Sequence, residues 1–234
     1  MSDPSSQRPK PGPALVRLVI PNKGRIAQPI NELIEKSGLH LVDGGERRLI
    51  TRTRDPNVEI LFARPIDIPE YVANGVADIG ITGRDMVMER GSVVEQVLDL
   101  QTGRATLVVA VPEESRIETV ADLAGAKVAT EFPGITRSFF AEHGIDVTIV
   151  TVGGACEATP HLGIADAIVD LSSSGTTLRT NHLRVIEEIL TSTTILIANP
   201  ISLAEKREKI DEIVLALESV IRAKGQCYLM MNVH

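Results

Sequence analysis

Tryptophan is absent from this 234-residue chain, and two tyrosines and four phenylalanines are its only aromatic side chains. A surface that grips single-stranded nucleic acid needs stacking platforms among clustered cations. Here 24 lysines and arginines face 31 aspartates and glutamates, for a net charge of -7, so such a surface is excluded and nucleic acid is not a partner. An anionic ligand must then be met by local cations. Cysteine is nearly missing too: Cys156 and Cys227 stand far apart, with no CxxC or Cys/His spacing. That excludes a disulfide framework and a zinc site, and both read as core thiols of a reduced, cytoplasmic protein. The five histidines, His40, His143, His161, His182 and His234, show no paired metal spacing and read as structural or exposed. No apolar run is long enough to span a membrane. Residues 1–13 carry no apolar h-region and read as a disordered tail, not a signal peptide.

What is present is alternation. An apolar content of 43% suits a buried core, and the chain repeats strand, polar turn and helix in the manner of an α/β fold with two lobes. Leu15 to Ile20 reads as a strand, followed by a basic turn at Pro21-Asn-Lys-Gly-Arg25 and a helix with Ile26, Ile30, Leu33 and Ile34 on one face. Open α/β sheets bind ligands at strand carboxyl ends, so Lys23 and Arg25 are candidates for holding phosphate; solvated loop charges are the alternative. Arg47 to Arg52 reads as an edge strand and Asn57 to Ala63 as a core strand, with Arg64 just beyond it. Asp67 reads as the cap of a short helix, Thr119 as the cap of another, and a helix is expected through Cys156 and Leu162. Thr106 to Val111 and Thr194 to Ala198 read as strands crossing between the lobes, Pro200 as the stop of the latter, and residues 203–224 as one long amphipathic helix.

Two stretches echo each other. Gly75-Val-Ala-Asp78 and Gly163-Ile-Ala-Asp166 both place a helix-ending glycine before an Ala-Asp entry to an apolar strand. The second strand runs into Ser172-Ser-Ser-Gly-Thr-Thr177, where hydroxyls and loop N–H groups can converge as a phosphate cradle. Asp170 just ahead could accept hydrogen bonds from sugar hydroxyls. An ordinary turn with a capping aspartate is the other reading of the same residues.

Taken together, Pro21-Asn-Lys-Gly-Arg25, Arg64-Pro-Ile-Asp-Ile-Pro69, Ala77-Asp-Ile-Gly-Ile-Thr-Gly83, Glu157-Ala-Thr-Pro160 and Ala165 to Leu178 resemble the ATP phosphoribosyltransferases, which catalyse the first step of histidine biosynthesis. The resemblance runs from about Leu15 to Val233. It implies two periplasmic-binding-protein-like lobes of type II around a central cleft: lobe I over 14–104 and 195–224, lobe II over 105–194. It implies ATP and phosphoribosyl pyrophosphate as substrates, Mg²⁺ carried mainly on their phosphates rather than by protein ligands, and N1-(5-phosphoribosyl)-ATP and pyrophosphate as products. By the same resemblance Glu157, Asp170, Ser172, Ser173, Ser174, Gly175, Thr176 and Thr177 hold phosphoribosyl pyrophosphate. Lys23, Gly24, Arg25, Arg64, Thr82 and Gly83 hold ATP, while Lys23, Arg47 and Arg64 stabilise the departing pyrophosphate. Asp166 is expected to be structural. Residues 225–234 resemble the first strand of a C-terminal regulatory domain, the rest of which is lacking. A homodimer or higher homo-oligomer is expected, a separate regulatory subunit less so. A non-catalytic sensor of the periplasmic-binding type is the rival reading.

Overall fold

The computed structural model describes residues 15–42 and 49–224. The N-terminal tail, Arg47 and the strand expected over 225–234 lie outside the described residues. Apolar β-branched runs make the strands. In the first lobe β1 (Val16–Pro21), α1 (Ala27–Lys36), β2 (Ile50–Arg52), β3 (Val58–Ala63), α2 (Ile68–Ala73), β4 (Ile79–Gly83), α3 (Arg84–Arg90) and β5 (Glu95–Asp99) follow in order. The chain then crosses through β6 (Ala105–Pro112), and β7 (Lys127–Thr130), α4 (Pro133–Glu142), β8 (Thr148–Thr151), β9 (Ala167–Ser172), α5 (Thr176–Thr180) and β10 (Leu183–Ser192) build the second. It returns as β11 (Thr194–Ala198), then α6 (Pro200–Glu205) and α7 (Arg207–Ala223).

One sheet has the order β2-β3-β1-β4-β11-β5 and the other β10-β6-β9-β7-β8. Strands β1, β3 and β4 are mutually parallel, as are β7, β8 and β9. Both sheets are covered on both faces, so β4 and β11 are buried along their whole length. Ile30, Ile34, Ile210 and Leu217 of the flanking helices pack on Leu18, Ile60 and Ile79 in the first lobe, and Phe132 and Phe140 pack on Leu107 and Val128 in the second. Each fully buried side chain of this kind contributes about 1.5–3 kcal/mol.

Register fixes where the lobes meet. Thr194, the first residue of β11, pairs with Gly83 at the carboxyl end of β4, and Thr106 near the start of β6 pairs with Ser172 at the carboxyl end of β9. The carboxyl edges of both sets of parallel strands therefore border the same crossing. The two crossing segments are bonded to each other, Leu100 N–H to Thr194 O at 2.9 Å and Thr194 N–H to Thr102 O at 3.0 Å. Helix α3 belongs to both lobes: Val87 packs in the first and Met86 against the core of the second. The Glu89 carboxylate accepts N–H bonds from Gly134 at 2.8 Å and Ile135 at 3.0 Å, in the first turn of α4. A Cβ at Gly134 would lie 3.0–3.2 Å from the Glu89 carbonyl and carboxylate, tighter than ordinary contact, so glycine eases the close approach.

Local expectations change in five places. Asp67 does not cap α2; its carboxylate bonds Arg64 at 2.7 Å and Arg90 at 3.3 Å instead. Thr119 does cap, in a reciprocal box with Asp122, but what it caps is a 3₁₀ turn over Val120–Leu123. The helix expected through Cys156 and Leu162 shrinks to a 3₁₀ turn over Cys156–Ala158, because Pro160 brings no N–H and Thr159 turns its hydroxyl onto Cys156 O at 2.8 Å. Pro200 begins a helix rather than only ending a strand. Asn199 caps it by accepting from Ile201 N and Ser202 N, and the long helix is broken at Lys206, whose ammonium turns to Asp78 at 2.8 Å.

Candidate active site

Strand β9 delivers Asp170 and Ser172 to the hinge-side edge of the second lobe, and the loop to α5 adds Ser173, Ser174 and Gly175. Gly175 has φ +69°, the left-handed conformation that glycine adopts without strain, and this turns the chain into α5. Leu178 is buried and seats α5 on the lobe, leaving Ser173, Ser174, Thr176 and Thr177 exposed. The Ser174 hydroxyl donates to Thr176 Oγ1 at 2.9 Å and receives the Thr176 N–H at 3.4 Å. These hydroxyls bond one another in the absence of a ligand and are free to rotate toward one. Arg179, which sequence reasoning missed, folds back over them, donating to Ser174 O at 3.2 Å and Thr176 Oγ1 at 3.3 Å. It lies four residues past Gly175, one helical turn onward on the same face.

Asp170 is half-buried and accepts the Leu171 N–H at 2.7 Å. Burial, opposed by that hydrogen bond and reinforced by the charges of Glu131 and Glu157, pushes its carboxyl up to about 6. Glu131, just past β7, is a second residue that sequence reasoning left unassigned. The Cys156 thiol is buried, donates to Ala129 O at 3.2 Å and is pushed up by burial and by Asp170. It is held as a thiol and is no nucleophile.

The first lobe presents its residues differently. Lys23, Gly24 and Arg25 are exposed in the turn after β1, and Arg25 donates to the Gly103 carbonyl of the crossing segment. Arg64 stands at the carboxyl end of β3, paired with Asp67 at 2.7 Å. Thr82 is fully buried, its hydroxyl donating to Pro65 O at 2.9 Å, so its side chain holds a turn and does not face the cleft. At Gly83 a Cβ would lie 2.0 Å from Asp85 Oδ1, a carboxylate buried against the Ser192 hydroxyl at 2.6 Å. The structure thus gathers Asp170, Glu157 and the 172–177 loop in one lobe and sets Lys23, Arg25 and Arg64 on strand ends of the other. It leaves Thr82 in the core.

Two α/β lobes joined at the carboxyl edges of their sheets, with a hydroxyl loop and a carboxylate in one and cations at strand ends of the other, define a two-lobed α/β protein. The alkanesulfonate-binding protein SsuA of Xanthomonas axonopodis pv. citri shares the fold, with a TM-score of 0.56 and 16% identity over 90% of this chain and 74% of that one. A much stronger likeness is to a chain of the ATP phosphoribosyl transferase (HisG:HisZ) complex from Thermotoga maritima: TM-score 0.80, 30% identity, 89% of this chain and 99% of that one. The family model for ATP phosphoribosyltransferase matches residues 64–219. The ATP phosphoribosyltransferase of Methanosarcina barkeri is 55% identical over 220 residues, 94% of this chain and 76% of its own. The chain belongs to the ATP phosphoribosyltransferase family, and is a transferase.

Proposed function

We propose that the cleft joins adenine N1 of ATP to the anomeric carbon of phosphoribosyl pyrophosphate, the opening step of histidine biosynthesis. The N1 lone pair forms the new C–N bond as the carbon–oxygen bond to pyrophosphate breaks, and that electron pair leaves with the pyrophosphate. The observation that carries this reading is the largely exposed hydroxyl loop over 172–177 beside Asp170, in a chain of this family. Ser173, Ser174, Gly175, Thr176 and Thr177 take the 5-phosphate with hydroxyls and N–H groups, and Asp170 takes ribose hydroxyls with its unbonded oxygen, with Glu157 beside it. Lys23 and Arg64, joined by Arg47, meet the triphosphate and the departing pyrophosphate, whose growing charge needs prepositioned cations. Gly24 and Arg25 lie in the same turn.

Mg²⁺ would ride on the substrate phosphates and neutralise the leaving group. The described residues contain no helix long and apolar enough to cross a membrane, and we place the enzyme in the cytoplasm with its substrates. Edge strand β2 leaves Leu49 and Ile50 exposed, which suits a homo-oligomer. The test is direct: ATP, phosphoribosyl pyrophosphate and Mg²⁺ are mixed with the chain, and adduct absorbance and pyrophosphate release are followed. Matched production of both is expected. No turnover together with tight binding of another small solute would replace the reading with a sensor.

A further inference from the structure

The charges of Glu131 and Glu157 act on Asp170 beside the hydroxyl loop, and the loop's own groups from Ser172 to Thr177 are neutral. A phosphate dianion brought there meets repulsion that hydroxyls alone offset poorly. Four first-lobe arginines are engaged elsewhere: Arg64 and Arg90 with Asp67, Arg84 with Asp99 at 3.6 Å, and Arg25 with the Gly103 carbonyl. Arg179 is not. Its guanidinium touches a carbonyl and a hydroxyl of the loop, both neutral, and pairs with no carboxylate among the described residues.

We propose that Arg179 is a binding residue for the 5-phosphate of phosphoribosyl pyrophosphate, a role that rests on the placement of that substrate at the 172–177 loop. The planar guanidinium already lies over the hydroxyls, and its two present acceptors, Ser174 O and Thr176 Oγ1, are solvent-exposed residues that water can serve when phosphate replaces them. Gly175 keeps this geometry open. A Cβ there would come to 3.0 Å from Arg179 Nη1 and crowd the guanidinium where it now sits. A fork of two N–H donors matches two phosphate oxygens, which a lone ammonium does not. The second lobe therefore supplies its own cation, in addition to the basic residues of the first.

The experiment compares R179A, R179K and T176V in steady-state kinetics with each substrate varied, and in calorimetric binding of ribose 5-phosphate, which needs no turnover. Losing a charge-assisted pair predicts that R179A weakens both ribose 5-phosphate binding and the KM for phosphoribosyl pyrophosphate about 10- to 100-fold, with the KM for ATP and the Tm unchanged. R179K recovers part of the loss. If T176V weakens ribose 5-phosphate and R179A does not, the role of Arg179 is overturned while the loop keeps its ligand. If neither variant changes that affinity, the placement of the substrate at the loop falls as well. Equal weakening of both substrates with a lowered Tm would make Arg179 a brace of the loop and would also overturn the proposal.

Discussion

The echoed strand entries of the two lobes are the same device carrying different loads. Gly75 and Gly163 share a left-handed backbone, φ +69° and +68°. Asp78 exchanges both backbone and side-chain bonds with Arg17, its N–H donating to Arg17 O at 3.0 Å and its Oδ2 accepting the Arg17 N–H at 2.8 Å. Asp166 does the same with Lys127, at 2.8 Å in both directions. Each aspartate thus clips the start of one parallel strand to the start of its neighbour. The difference lies in what else depends on the clip. Asp78 is buried and also receives the Lys206 ammonium, tying the C-terminal helices to the sheet; Asp166 is exposed and holds only its strand.

The strand exits diverge further. β4 ends in Gly83 and enters α3 at once, with Thr82 buried and Asp85 locked on Ser192, so this exit builds the hinge. β9 ends in a largely exposed loop whose Ser174 and Thr176 hydroxyls bond each other, the Thr176 N–H and Arg179. One exit is spent on architecture and the other is left for a ligand.

The sharpest way to break this comparison is to remove both aspartates in turn. Asp78→Ala strands Lys206 and the Arg17 N–H and should cost about 3 kcal/mol, near the lower end for breaking a buried pair because Lys206 keeps partial access to water. Asp166→Ala leaves one N–H to be met by water and should cost about 1 kcal/mol. Urea denaturation measures both, and equal costs would mean that the echo carries equal loads. Asp78 also makes a pH signature. Its carboxyl is held below the usual range by Lys206 and the Arg17 N–H against burial, so its contribution is present above the unfolded value near 4 and fades as pH falls through the lower folded value.

Asp170 has the opposite sign. Its folded value, about 6, is above the unfolded one, so the folded state takes the proton first. Stability declines as pH rises from about 4 to 6, and the ionised carboxylate then costs on the order of 3 kcal/mol. Asp170→Asn should therefore raise the Tm at pH 8 by a few degrees, with the gain disappearing below about pH 4. Its kcat/KM for phosphoribosyl pyrophosphate should fall about 30-fold at pH 8 for want of a charged acceptor. The native enzyme should lose kcat/KM below about pH 6, and the variant should not. A lowered Tm at pH 8 would return Asp170 to a structural cap.

Which parts were legible in the sequence follows from the kind of signal each part leaves. The strands, the lobe crossing and the hydroxyl loop were readable because apolar runs, glycines and serines act locally. Asp67, Thr82 and the break at Lys206 were not. Each is decided by a partner distant in sequence: Arg90 for Asp67, Pro65 for Thr82, Asp78 for Lys206. Arg179 escaped for a different reason. An exposed arginine on a short helix reads as solvated until the backbone shows the loop beneath it.

The smallest expected effect tests whether α3 is shared between the lobes. Glu89 reaches the first two bonded amides of α4 as an ionised carboxylate at a helix N-terminus, where negative charge is favoured by about 0.3–1 kcal/mol. Glu89→Gln keeps one acceptor and the shape but removes the charge. The cost should be about 1 kcal/mol or less in denaturation, because Met86 still packs in the second lobe. The informative measurement is hydrogen exchange at Gly134 and Ile135. If α3 truly clamps the lobes, these amides should exchange faster in Glu89→Gln while the β9 amides keep their protection, since the clip at Asp166 is untouched. Protection lost equally in both places would mean that the second lobe loosens as a whole, and the clamp would then be a feature of packing and not of charge.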